Sequence, residues 1–381
     1  MHIRSRRGFL KKTLGACWTG AALLEQAVFR ADLARAQASD SLPKLFDIEK
    51  IADGIYAALA RPAALINSNA VIFENSQDLL IVDTHSKASA VASLVSQIKR
   101  EITPKPIRYI VNSHFHWDHT QGNPTYHRIA PHADILASEA TRKLLSEKGA
   151  ERFRLSAVEA EKSVETYKDQ LAKTTSPADK QELQQLIKET NAYLAEMKNY
   201  QPELPNITFA NDLIIHDKNH DLHLAFRGRA HTAGDVVVYC PQKKVIATGD
   251  ALHGFLPFIA DGYPNEWANT LRRYAEIPFD HIAGGHGAVQ HTRDRLYQMG
   301  NYIDELTELV KTTKGKKTLA EIQASVNPDT LRSLKDGGYG EFVKQNIERS
   351  RPSIPGTTRA EAFTANVRTN IAEIYNALGR S

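Results

Sequence analysis

The sequence predicts a layered α/β fold, and three observations carry that expectation. Short β-rich runs alternate with turns between Phe46 and Arg108. A helix with one apolar face, built from Ala88, Val91, Leu94, Val95 and Ile98, follows them. A buried strand, Ile107 to Val111, then ends just before a cluster of histidines. Strand and helix periods that alternate in this way mark sheets covered by helices.

The first strand signals are Gly54-Ile55-Tyr56-Ala57, Ala70-Val71-Ile72-Phe73 and Leu79-Leu80-Ile81-Val82. Residues 143 to 200 break the rhythm. There a charged stretch carries Val164, Tyr167 and Leu171, Ser176-Pro177 restarts it, and Leu183, Leu186, Ile187, Thr190, Leu194 and Met197 recur at helical spacing. The pattern predicts a helical hairpin with Ser176 as N-cap and Pro177 as first helical residue. It reads as an insert or a cap over the site, with a dimerisation arm, and hence a homodimer, as the alternative. Strand signals return at Leu222 to Phe226, Val236 to Tyr239, Val245 to Ala247 and His281 to Ala283. Beyond Gly287 the text is helical: Leu296, Met299, Ile303, Leu306 and Val310 form one face, Thr318 and Glu321 a capping box, and Phe363, Val367, Ile371, Ile374 and Leu378 a last face. Pro352, Pro355 and Gly356 mark a loop before that last helix. The expected organisation is an export signal at 1–38, a catalytic domain at 39–290 with a helical insert at about 143–200, and a C-terminal helical extension at 291–381.

The export reading rests on Ser5-Arg6-Arg7-Gly8-Phe9-Leu10-Lys11, which precedes a mildly apolar stretch from Leu14 to Phe29. With Ala34-Arg35-Ala36 or Ala36-Gln37-Ala38 as cleavage site, this resembles a twin-arginine signal. The twin-arginine export machinery is the implied partner, and the periplasm or exterior the implied location. Cys17 lacks an apolar segment before it, which argues against lipid attachment. Residues 1–38 hold seven Lys/Arg and two Asp/Glu; without them 41 basic and 42 acidic residues remain, a net charge of −1 in place of +4. With no Lys/Arg cluster interleaved with aromatics, that balance argues against nucleic-acid binding. A chain that is 42% hydrophobic and 24% charged has ample material for a packed core. Cys240 would be the one cysteine left after cleavage, so no intramolecular disulfide is expected, and its place after Val236-Val237-Val238-Tyr239 makes it a core residue. No run of about 18 uncharged apolar residues follows the signal, so neither a transmembrane helix nor a stable membrane anchor is expected.

The chemistry is concentrated in His114-Phe115-His116-Trp117-Asp118-His119, four ligand-type side chains in six residues directly after a buried strand. Burying such groups is tolerated when a metal or hydrogen bonds satisfy them. Imidazole and carboxylate suit zinc and similar metals, and a catalytic site leaves coordination positions open for water. The run can supply two sets, His114 and His116 for one ion and Asp118 and His119 for a neighbour. No G-x-S-x-G elbow is present, and no serine nucleophile is implied.

This run resembles the signature of the metallo-beta-lactamase superfamily. His231, in Gly228-Arg229-Ala230-His231-Thr232-Ala233-Gly234-Asp235, is similar to the family's G-x-x-H-T-x-G-D turn, which would complete the first ion's set. Asp250, ending Ala247-Thr248-Gly249-Asp250, looks like the bridging carboxylate, and His286, in Gly284-Gly285-His286-Gly287, like the last ligand of the second ion. The resemblance runs from about Phe46 to Gly287. It implies an αββα sandwich with two divalent metal ions, zinc the expected identity, at a loop edge between the sheets. A hydroxide bridging the ions would attack a carbonyl, with Asp118 acting both as ligand and as orienter of the nucleophile. Asp83, in Val82-Asp83-Thr84-His85, matches an aspartate the family often places behind the metal loop. Trp117, His253, Phe255, Phe258, Tyr263 and Trp267 are candidate walls of the substrate pocket because they sit inside or just after ligand motifs. Among them His253 falls where several relatives place a substrate-gripping side chain. Asp250, in place of a cysteine or serine, makes the chain look more like the lactonase, thioesterase and sulfatase branches than the true beta-lactamases. The expected function is hydrolysis of an ester, lactone, thioester or amide bond in a small molecule; the alternatives are a periplasmic beta-lactamase and a non-catalytic metal-binding sensor or carrier.

Overall fold

The structure, a computed structural model, describes residues 42–61, 67–350 and 358–378. The twin-arginine motif, both cleavage sites and the Pro352 to Gly356 break lie outside the described residues.

Two sheets form the centre. The first follows chain order: β1 (Phe46–Ala52), β2 (Ile55–Ala60), β3 (Ala70–Glu74), β4 (Leu79–Val82), β5 (Ile107–Val111), β6 (Asp134–Ser138) and β7 (Ile207–Phe209). Its first four strands pair antiparallel, and β4 to β7 run parallel. The second holds β8 (Asp212–His216), β9 (Asp221–Phe226), β10 (Val236–Cys240), β11 (Val245–His253) and β12 (His281–His286), in the spatial order β12-β11-β10-β9-β8, with β11 and β12 parallel. The helices are α1 (Ala88–Glu101), α2 (Trp117–Thr120), α3 (Asn123–Ile129), α4 (Glu139–Lys173), α5 (Pro177–Met197), α6 (Pro264–Ala275), α7 (Asp294–Thr313), α8 (Leu319–Ser325), α9 (Arg332–Lys335), α10 (Tyr339–Ser350) and α11 (Arg359–Ala377).

The period of two along each strand builds the layers. Leu80 and Val82 of β4 meet Val236 and Val238 of β10 in one cluster between the sheets, where Cys240 is also fully buried. Leu79 and Ile81 point the other way, onto Val91, Leu94, Val95 and Ile98 of α1. Val237, Ile246 and Ile282 form the opposite outer face and bury Trp267, Leu271 and Tyr274 of α6, Met299 and Ile303 of α7, and Val367, Ile371 and Ile374 of α11. Helix, sheet, sheet, helix is therefore the αββα sandwich. α11 packs on this same core.

The helical hairpin is made by α4 and α5. Ser138, the last residue of β6, caps α4 by accepting from the Thr141 amide, so this helix begins at Glu139, directly after the strand. Ser176 caps α5, its hydroxyl accepting from the Asp179 amide at 3.3 Å. Tyr167 of α4 packs on Leu183 and Leu186 of α5 near the tip, while Ala160, Tyr193 and Met197 pack on Trp117 at the base. Among the described residues no helix is long and apolar enough to cross a membrane.

Candidate metal centre

β4 and β5 of the first sheet and β11 and β12 of the second deliver the polar residues at their carboxyl ends, the edge where open α/β sheets gather ligands. β4 runs into Asp83, β5 into Ser113 and His114, β11 carries Asp250 and ends at His253, and β12 ends at His286. His114, His116, Asp118, His119, His231, Asp250 and His286 are all buried.

They converge as two nests sharing a carboxylate. Ligand atoms of His114, His116 and His231 lie within 4.8 Å of one another, and so do those of Asp118, His119 and His286. Asp250 lies between: its Oδ1 is 3.3 Å from His119 Nε2 and 3.4 Å from His286 Nε2, and its Oδ2 is 3.6 Å from His231 Nε2 and 4.0 Å from His114 Nε2. Asp118 Oδ2 sits 3.1 Å from His286 Nε2 and 3.4 Å from His119 Nε2.

The outer nitrogens of four histidines are each engaged, which fixes where the inner ones point. His119 Nδ1 lies 2.8 Å from Asp83 Oδ2, to which Ser113 Oγ also donates at 2.9 Å. That hydroxyl, its proton committed to Asp83, accepts from His114 Nδ1 at 3.0 Å. His231 Nδ1 donates to the Phe258 carbonyl at 2.9 Å, and His116 Nε2 donates to Asp261 Oδ2 at 3.0 Å. Each ring therefore presents a bare lone pair inward. His116 Nδ1 and His231 Nε2 face each other at 2.8 Å, and His114 Nε2, His119 Nε2 and Asp250 Oδ1 are buried with no hydrogen-bond partner. Opposed lone pairs and orphaned buried acceptors are costly unless a cation lies among them. The donor set fits two borderline divalent ions.

The charge environment agrees. Burial pushes His114 and His231 well below the ordinary histidine value, and their imidazole neighbours push the same way. Burial opposes protonation of His119 too, but Asp250, Asp118 and Asp83 hold it well above its ordinary value, and Asp250 with Asp118 lifts His286 to about 9 against the same burial. The carboxylates of this cluster draw positive charge towards themselves, which protons or metal ions can supply.

The backbone is shaped to allow the convergence. Gly249 adopts φ +51°, and a Cβ there would lie 2.2 Å from Ser113 Oγ. At Gly285 a Cβ would fall 2.0 Å from Asp250 Oδ1. Behind the turn, Thr84 Oγ1 and Asn112 Nδ2 both donate to the His119 carbonyl, at 2.9 and 3.2 Å, and Asn123 links the two.

Over the two nests lies a cavity of about 430 Å³ walled by Trp117, His253, Phe255 and Phe258 together with parts of α4 and α11. His253 also reaches the centre itself: its Nε2 is 3.1 Å from Asp250 Oδ2, and it stacks on His286 with ring centroids 6.0 Å apart. Two candidate walls lie elsewhere. Tyr263 lines a neighbouring cavity with its ring under Arg229, because the turn from Ile259 to Tyr263 carries it to the other side of Asp261. Trp267 is wholly buried on α6, donating to the Ala251 carbonyl at 3.0 Å. Asp261 is a site residue that the sequence reading missed. It holds His116 and is itself paired with Arg152 of α4, whose guanidinium sits over the Phe115 ring.

Residues 64–296 match the profile of the metallo-beta-lactamase superfamily. Among curated proteins the chain is 31% identical over 117 residues to a type 2 metallo-beta-lactamase of Bacillus cereus, a stretch covering 28% of this chain and 45% of that protein. It is 30% identical over 96 residues to an atrochrysone carboxyl ACP thioesterase of Aspergillus terreus, covering 24% of this chain and 30% of that one. The chain thus spans less than half the length of these curated relatives. Among solved structures, a metallo-beta-lactamase from Pontibacter korlensis superposes with a TM-score of 0.49 at 18% identity, over 67% of this chain and 98% of that one.

Proposed function

This chain belongs to the metallo-beta-lactamase superfamily, and from that premise we propose that it is a hydrolase with two divalent metal ions, zinc the expected identity, that opens an ester, lactone, thioester or amide bond of a small molecule. The observation that carries the reading is the inward set of bare nitrogens and carboxylate oxygens, sorted into two nests around Asp250. His114, His116 and His231 would hold one ion, Asp118, His119 and His286 the other, and Asp250 would bridge them. Such a pair supplies water made acidic enough to lose its proton near neutral pH, and a positive field for the substrate's carbonyl oxygen.

The protein's own groups do the rest. Asp83, Ser113, Asp261 and the Phe258 carbonyl orient the imidazoles, sparing the centre a reorganisation during reaction. Asp118, buried but lining the cavity, would orient the attacking water. His253 steadies Asp250 through Oδ2. Leaving-group protonation falls to a group at the cavity mouth or to solvent.

The name of the Bacillus cereus relative favours a beta-lactam substrate and that of the Aspergillus terreus relative an acyl thioester. The twin-arginine motif at Arg6-Arg7 supports export to the periplasm or exterior, with the twin-arginine machinery as partner. Metal analysis of the folded protein, followed by a hydrolysis screen of esters, lactones, thioesters and a chromogenic cephalosporin, tests the proposal. About two ions per chain and turnover lost on chelation are expected. Full activity after chelation would reject the hydrolase reading, and full loading with no turnover on any probe would favour a sensor or carrier.

A further inference from the structure

The cavity over the nests has one chemically uneven wall. Four large apolar side chains among the described residues are strongly exposed, Leu155, Ile214, Phe258 and Tyr297. Two of them, Leu155 at 44% and Phe258 at 40%, line this cavity, one from α4 and the other from the segment after β11. Scattered exposed apolar residues need no explanation, but two on separate elements at the mouth of one polar site form a patch that water covers at a cost. Phe255, Leu256 and Pro257 extend the same surface inward. The charged side chains of the wall point to a second property. Arg152 is the one arginine or lysine among the lining residues, and Asp261 and the Phe115 ring already engage that guanidinium. The other charged side chains of the wall away from the nests, Glu159 and Glu373, are acidic, and Glu373 accepts from the Ile259 amide at 2.8 Å.

We infer that the substrate carries an uncharged apolar group next to the scissile carbonyl, a medium-length alkyl chain or an aryl ring, which lies between Leu155 and Phe258, and that it bears no carboxylate on that group. This rests on the hydrolase reading above and narrows it to apolar esters, thioesters and lactones. The volume suits such a molecule, since small-molecule sites commonly enclose about 300–1,000 Å³. Each methylene withdrawn from water is worth about 0.8 kcal/mol, or roughly fourfold in affinity.

The test separates the wall from the chemistry. Acetohydroxamate and octanohydroxamate are titrated calorimetrically into the metal-loaded protein, and turnover is measured on short and long ester pairs varied first on the acyl side and then on the alcohol side. With the walls only partly enclosing, the octanoyl compound is expected to bind at least about tenfold more tightly. The Leu155→Ser variant should lower that ratio at least about threefold, with metal content, thermal midpoint and acetohydroxamate affinity unchanged. A chain of equal length ending in a carboxylate should lose at least about tenfold. A flat ratio in the unaltered protein, a ratio that survives Leu155→Ser, or a preference for the carboxylate overturns the inference. Absence of ester turnover with the hydroxamate ratio intact would instead count against the hydrolase reading, leaving the apolar wall standing.

Discussion

The strand-end centre and the helical hairpin are built on opposite principles. In the centre, polar atoms are buried, four histidines are held through their outer nitrogens, and their inner nitrogens are left bare. In the hairpin, apolar side chains such as Leu183 and Leu186 are buried between two helices, and the charged residues face solvent. The hairpin gains stability from every contact it makes, whereas the centre forgoes hydrogen bonds that water would provide and holds their partners ready for something else. That contrast separates a region whose groups satisfy one another from one whose groups are held open towards a common centre. Arg152 is where they meet, a hairpin residue holding the carboxylate that holds His116.

The contrast can be broken or sharpened by substitution. The largest effect is expected from His116→Ala, which should cut hydrolysis by at least about a thousandfold, several kcal/mol of barrier. It should leave the thermal midpoint of the chelated protein within a few degrees; a steady-state assay and a melting curve check both. Next comes Leu183→Ala, which empties a wholly buried position between α4 and α5. It should cost about 2–5 kcal/mol in denaturant unfolding while metal stoichiometry stays the same. A loss of metal in that variant would mean that the two regions are not separable. Asp261→Asn should weaken metal binding by about 10- to 100-fold in chelator competition. Arg152→Lys should give a smaller loss, since it keeps the charge but not the planar fork. The smallest effect belongs to the hairpin cap: Ser176→Ala should cost about 1 kcal/mol in unfolding and nothing in metal affinity.

Much of this was legible in the sequence where neighbours in the chain remain neighbours in space. The run from His114 to His119 announces itself because six consecutive residues on one turn cannot avoid each other, and the period of α1 and the apolar face of α7 follow from spacing alone. Asp261 was hidden because its partners lie 145 residues away at His116 and 109 away at Arg152, and nothing in its own loop has a period. Tyr263 misled for the converse reason: it stands close to ligand motifs in the chain, but the Ile259 to Tyr263 turn faces it away from them. β6 escaped notice because Asp134 and Ser138 bracket only three apolar residues before α4 begins. Its parallel pairing with β5 belongs to the sheet as a whole.

Gly285 has a consequence that reaches past this one molecule. Every other amino acid begins with a β-carbon, and here that atom would fall 2.0 Å from a carboxylate oxygen of Asp250 and 2.9 Å from the His119 ring. In a saturation library screened for activity, this position should tolerate a single letter, as strictly as the histidines do, although glycine offers no side chain to a metal or a substrate. Intolerance to replacement there would record lack of room.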